Sequence, residues 1–314
     1  MIADFAGIAG SLEIFGIPRW VSVPIGAAIV WLLVVKGTYA SVEKIFLFAC
    51  LVYVAYIVSA ILVKPDWKQA AIYSVKPVLM LQGAYLYMLI GMVGTSIAPW
   101  MQFYLQAAVV EKGVTAKEYK ESRIEVIVGC IAMSVIAFFI IVACASTIYE
   151  LTPGGRDLQT PADAALALEP FGQYAKILFA AGLFNASLFA ACILPLSTAY
   201  SVCEGLGFES GVNRRFREAP IFYWLFTLLI VVGGGVVMWP RFPLVKMILF
   251  SQVINGALLP IVLIFMTLLI NKKKLMHEWT NSRFYNFVAW TSVALMIGLT
   301  MALVALSIQD MMRS

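Results

Sequence analysis

Nine long apolar stretches divide the chain, at approximately residues 2–16, 20–35, 45–63, 79–110, 126–148, 175–203, 221–239, 244–270 and 287–308. Lipid offers a peptide group no hydrogen-bond partner. A stretch of ~20 apolar residues entering a bilayer must therefore satisfy its own N–H and C=O groups, which a helix does and a lone strand does not. The pattern predicts an all-α polytopic membrane protein with about nine transmembrane helices. The alternative of a soluble globule fails on its surface. Only 12% of the 314 residues are charged and 62% are hydrophobic, whereas a hydrated surface takes ~25% charged residues. No soluble insert or low-complexity tract separates the stretches, so residues 1–314 read as a single transmembrane domain. The first stretch is short, and the fourth, sixth and eighth are long enough to tilt or break. Glu150–Glu169, with Pro153-Gly154-Gly155, reads as an external loop.

In such a chain the net charge of +5 reports loop asymmetry and not affinity for nucleic acid. Loops of one parity hold Lys112 to Arg123, Arg214 to Arg217 and Lys272 to Lys274, among thirteen of the twenty-two basic residues. Loops of the other parity hold Asp157, Asp163 and Glu169. The richer side is expected to be cytoplasmic, which puts the N-terminus of this chain inside and its C-terminus outside. The five cysteines lie in apolar runs without a CxxC pair and are expected to be buried thiols acting as small hydrophobes.

The fourth stretch carries the most chemistry. Gly94-Thr95-Ser96-Ile97-Ala98-Pro99-Trp100 sets small and polar residues and a proline at mid-span. Proline removes a backbone donor and frees the carbonyl one turn earlier. Carbonyls freed between two half-helices are one way in which transporters build a cation site at the membrane midplane; a plain proline kink is the structural alternative. The eighth stretch places Gln252 and Asn255 three residues apart on one face. The Gln252 amide oxygen there either ligates a hard cation or bonds a neighbouring helix. Gly91 and Gly94 read as close packing, the run Gly233-Gly234-Gly235 as a packing or hinge feature, and Asn185, Ser197 and Thr198 as polar packing groups. Glu13 and Glu204 read as interfacial acids. Asp4, in the first stretch, is a candidate ion ligand or proton relay. HExxH, GxSxG and GxxxxGK[ST] are absent, so no enzyme is expected.

These residues carry a resemblance. Gly94-Thr95-Ser96-Ile97-Ala98-Pro99-Trp100 resembles the sixth-span signature Gly-Ala-Thr-Val-Met-Pro-His of the NRAMP divalent-metal transporters. Phe250-Ser251-Gln252-Val253 with Leu258-Leu259-Pro260 resembles the tenth span, and Asn271 to Met276 the loop after it. Phe15-Gly16-Ile17-Pro18 is similar to the end of the third span, and Cys203-Glu204-Gly205-Leu206-Gly207 to the end of the eighth. The resemblance implies a LeuT-like inverted-repeat fold, with the stretches here corresponding to spans three to eleven. The family's opening span, with its Asp-Pro-Gly-Asn break, and its second span find no counterpart. The chain is therefore expected to be an N-terminally truncated piece with Met1 internal, and by itself to transport nothing, because the missing break holds the family's carboxylate ligand.

Where the family pattern has methionine and two histidines, this chain has Ala98, Trp100 and Leu105, as in the NRAMP-related magnesium transporters of bacteria. Thioethers favour soft metals, while Mg²⁺ keeps several waters, so alanine suits the hard ion. By match to the family's pattern, Thr95 contributes its carbonyl, Ala98 lines the site and Gln252 gives its amide oxygen. Pro99, Trp100, Asn255 and Asp4 are candidates for gating or coupling. The resemblance implies a transporter of Mg²⁺, Mn²⁺ or both, working by alternating access in the cytoplasmic membrane of a bacterium. Its expected partners are the metal substrate and the lipid bilayer, with no resident cofactor and no obligate protein partner. A proton-coupled Mn²⁺/Fe²⁺ symporter, an amino-acid carrier of the same fold and a non-transporting membrane scaffold are the alternatives.

Overall fold

The computed structural model describes residues 1–36, 50–76, 80, 82–149, 160–239 and 242–313. Among them the regular structure is helical, with no strand. The principal helices are α1 (Ile2–Glu13), α2 (Arg19–Lys36), α3 (Val54–Leu62), α4 (Trp67–Val75), α5 (Gly83–Ser96), α6 (Pro99–Glu111), α7 (Tyr119–Cys144), α8 (Ala175–Leu206), α9 (Pro220–Val237), α10 (Leu244–Ile270) and α11 (Arg283–Arg313). Val142 and Ala143 are the buried residues of α7. Phe138, Phe139, Ile140 and Cys144 pack partly against the core, but the apolar residues of its first half, from Ile124 to Val135, are exposed, so lipid must be their solvent. The chain is an all-α polytopic membrane protein.

The span count differs from the nine expected. Seven helical segments among the described residues are long and apolar enough to cross a membrane, or eight if a bent pair counts as one span. The first expected span folds as the twelve-residue α1, about 18 Å long at 1.5 Å per residue against a ~30 Å hydrocarbon core. The third begins outside the described residues. Its visible part, Cys50–Leu62, meets α4 at a bend of 115°, where Asp66 caps α4 by accepting from the Gln69 amide (3.0 Å). The expected loop Glu150–Glu169 lies outside the described residues up to 159. From 160 onward it is largely helical, with Ala165, Ala167 and Leu168 buried. Ser59 donates to the Ala167 carbonyl (2.8 Å). Three apolar positions and one hydrogen bond thus pull in a segment whose composition suggested solvent.

Contacts divide the described chain into two compact units, residues 1–77 with 106–248 and residues 78–105 with 249–314. In the first, α1 packs on α8, α2 and α9 around Phe5, Ile8, Val23, Val30, Phe222 and Phe226, all fully buried. Small residues let these helices approach, as membrane packing favours. A Cβ at Gly26 would press on Ile8, and one at Gly234 would stand 3.2 Å from Val23 Cγ1. Gly233 faces Phe5, so the packing reading of the triple glycine holds for its first two members. Glu13 ends α1 in an ion pair with Arg19 (2.8 Å). Cys192 and Cys203 are buried, but Cys50 and Cys130 are exposed; an apolar thiol on an apolar helix is covered by lipid as well as by protein.

The second unit is built from α5, the first residues of α6, most of α10 and α11. α5 packs on α11. The loop from α10 to α11 is closed by reciprocal amide bonds between Asn271 and Asn286 (2.7 and 2.8 Å). This loop also holds His277, exposed to solvent.

Candidate functional site

The helical run through residues 83–111 breaks at Ile97 and Ala98. Ile97 leaves helical geometry, at φ −131° and ψ 81°. Pro99 then starts α6, in the first helical turn where its missing N–H costs least. The same absence leaves the Thr95 carbonyl with no helical donor at the i+4 position. Side chains reinforce the end of α5: Thr95 Oγ1 donates to the Gly91 carbonyl (2.9 Å) and Ser96 Oγ to that of Met92 (3.0 Å). Both hydroxyls are thereby turned back along their own helix. Thr95 offers its carbonyl outward more readily than its hydroxyl. Ala98 and Pro99 are buried and Trp100 is half-buried.

What stands beside the break is fixed by two glycines. A Cβ at Gly94 would overlap the Gln252 carbonyl and the Gly256 nitrogen, and would stand 2.9 Å from the Gly256 Cα. A Cβ at Gly256 would overlap the Ile90 carbonyl. Helices α5 and α10 thus meet backbone to backbone, as only glycine permits. A Cβ at Gly91 would stand 3.2 Å from Val253 Cγ2, a looser approach. The crossing sets Gln252 next to the last turn of α5. Gln252 Oε1 accepts from Asn255 Nδ2 (3.3 Å), which orients the amide and leaves the oxygen a second lone pair.

Of the residues singled out from sequence, Thr95, Ala98, Pro99, Trp100, Gln252 and Asn255 belong to this one unit, and Asp4 belongs to the other. The role of Gly94 as a close-packing residue is visible in its contacts. Its counterpart Gly256 was missed, because a glycine in an apolar run carries no signal of which helix it will meet. The local donors are neutral oxygens, and among the described residues no group of three His, Cys, Asp or Glu side chains is arranged to hold a metal. Glu204 is bonded instead by Gln106 (2.7 Å), and Asn185 by a 3.5 Å contact to the Tyr53 hydroxyl.

A helix pair interrupted at a buried Ala-Pro step and crossed by an amide-bearing helix defines a class: polytopic α-helical membrane proteins with a broken span. Comparison with known proteins supplies the family. The model of the natural resistance-associated macrophage protein-like (Nramp) family matches residues 1–306, and the chain belongs to that family. A relative, the divalent metal cation transporter MntH of Deinococcus radiodurans, is 23% identical over 314 residues, covering 95% of this chain and 67% of that protein.

Proposed function

We propose that residues 1–314 form one transmembrane domain of a divalent-cation transporter in the bacterial cytoplasmic membrane, carrying Mg²⁺ and Mn²⁺ by alternating access. The observation that carries this reading is the break at Ile97–Ala98, beside the Gly94–Gly256 crossing. The crossing brings the Thr95 carbonyl and the Gln252 amide to neighbouring helices. Membership of the Nramp family and likeness to a divalent metal cation transporter support the substrate class. The preference for Mg²⁺ rests on Ala98. Neutral oxygen donors and a methyl group leave space for an ion that gives up its water reluctantly, and the alanine brings no sulfur to reward a soft metal.

In this reading the metal is the substrate, no resident cofactor takes part and no covalent chemistry occurs. Ala98 lines the path, Pro99 holds the break, and Trp100 and Asn255 flank it. The cytoplasmic side is the one bearing Lys112, Arg214 and Lys273, following the excess of basic residues. Reconstituted at its full length, the protein is expected to take up Mn²⁺ in a saturable manner that excess Mg²⁺ suppresses, whereas residues 1–314 alone are expected to take up none. Gln252→Leu keeps the side-chain volume and removes the oxygen, and is expected to raise the half-saturating concentration about tenfold, the effect of ~1.4 kcal/mol lost from one ligand. Uptake indifferent to both Mg²⁺ and Gln252→Leu would contradict the assignment.

A further inference from the structure

Glu111 is the last residue of α6, where a carboxylate opposes the helix dipole and is disfavoured by local helix energetics. Its surroundings explain the choice. Oε1 accepts from the Tyr200 hydroxyl (2.6 Å) and the Val212 amide (3.3 Å), and Oε2 from Asn213 Nδ2. Tyr200, buried on α8, also accepts from the Val212 amide (2.9 Å). The loop is shaped to fit. Gly211 adopts φ +141°, and a Cβ there would stand 3.2 Å from Glu111 Oε1. From α9, Tyr223 donates to the Arg214 carbonyl (2.8 Å) and to that of Val212 (3.3 Å). One carboxylate thus ties the end of α6 to α8 and to the loop 207–219, through hydrogen bonds strengthened by its charge.

We propose that Glu111 is a positioning residue for transport: a latch that fixes the far end of the half-helix beginning at the Pro99 break. This rests on the transport reading above. Glu111 lies twelve residues beyond Pro99, about 18 Å along the helix, too far to touch an ion at the break. Its influence is therefore on movement of the half-helix and not on ligation. Latch variants change the turnover rate and leave metal affinity in place.

The test uses the protein reconstituted at its full length and two readouts. Glu111→Ala removes the acceptor, and Asn213→Asp sets two carboxylates against each other without touching α6. Each is expected to lower the maximal uptake rate at least fivefold, with the half-saturating metal concentration within twofold of wild type. Combining Glu111→Gln with Asn213→Asp reverses the polarity of that bond and is expected to restore the rate to within twofold. Hydrogen–deuterium exchange of residues 208–219 reports the latch independently. It is expected to be about tenfold faster in Glu111→Ala and to return to the wild-type value in the reversed pair. Faster exchange with an unchanged rate, or a reversed pair that restores exchange without restoring the rate, would overturn the positioning role. So would a loss confined to affinity. Wild-type vesicles that take up no divalent cation overturn the transport reading and the role with it. Wild-type uptake unaffected by any of the variants overturns the latch alone.

Discussion

Ala98 is buried at the point where α5 ends and α6 has not yet begun. Restoring a thioether there is a test of chemistry as much as of space. In Ala98→Met the sulfur supplies a soft donor and its methylenes fill the volume assigned to retained water. Mn²⁺ and Cd²⁺ uptake should strengthen while Mg²⁺ uptake weakens, with the selectivity ratio moving about tenfold or more. Opposite movement separates ligation from misfolding, since a damaged protein loses all metals together. Competition among the three ions in wild type and variant measures it, and an unchanged ratio would remove Ala98 from the path. At this scale the sequence was informative where a residue's chemistry is local. The missing N–H of Pro99 and the consequence for Thr95 follow from residue type and spacing. The back-bonding of the Thr95 and Ser96 hydroxyls and the donors on Glu111 do not, because they depend on rotamers and on residues about a hundred positions away.

Element by element, hydropathy located most helices, but lengths and partners were less legible. The apolar run at 2–16 resembled a short span, yet Gly16 turns the chain at φ +78° and Arg19 pairs with Glu13, ending α1 after twelve residues. A window average does not register such stops. The α5–α10 crossing is set by two glycines far apart in sequence, and this makes it open to test. Gly94→Val would drive a branched side chain into the α10 backbone at Gln252 and Gly256. Overpacking of this kind costs about 1–3 kcal/mol, so a drop of several degrees in unfolding temperature is expected, together with loss of Gln252-dependent uptake. At Gly235 nothing lies within 4 Å of an added Cβ, so Gly235→Val should change neither. Thermal unfolding and uptake of the two variants, side by side, check the crossing; equal behaviour would mean that α5 and α10 do not meet backbone to backbone.

For the whole molecule, the family placement and the basic-residue asymmetry give complementary expectations. In a cysteine-free background, an impermeant thiol reagent applied to intact cells should label Glu169→Cys and spare Lys273→Cys; the reverse pattern would invert the orientation. Proton coupling is expected to be weak or absent. Histidine is the side chain whose unperturbed pKa lies nearest physiological pH, and Trp100 and Leu105 stand where the family's pattern has histidines. Asp4 is the remaining candidate carrier, and its unit is not that of the break. The most direct measurement records Mg²⁺ entry and internal pH together in sealed vesicles holding the protein reconstituted at its full length. Saturable Mg²⁺ entry with no metal-driven acidification is the expected result. Vesicles that admit no Mg²⁺, or that acidify in proportion to metal entry, would contradict it.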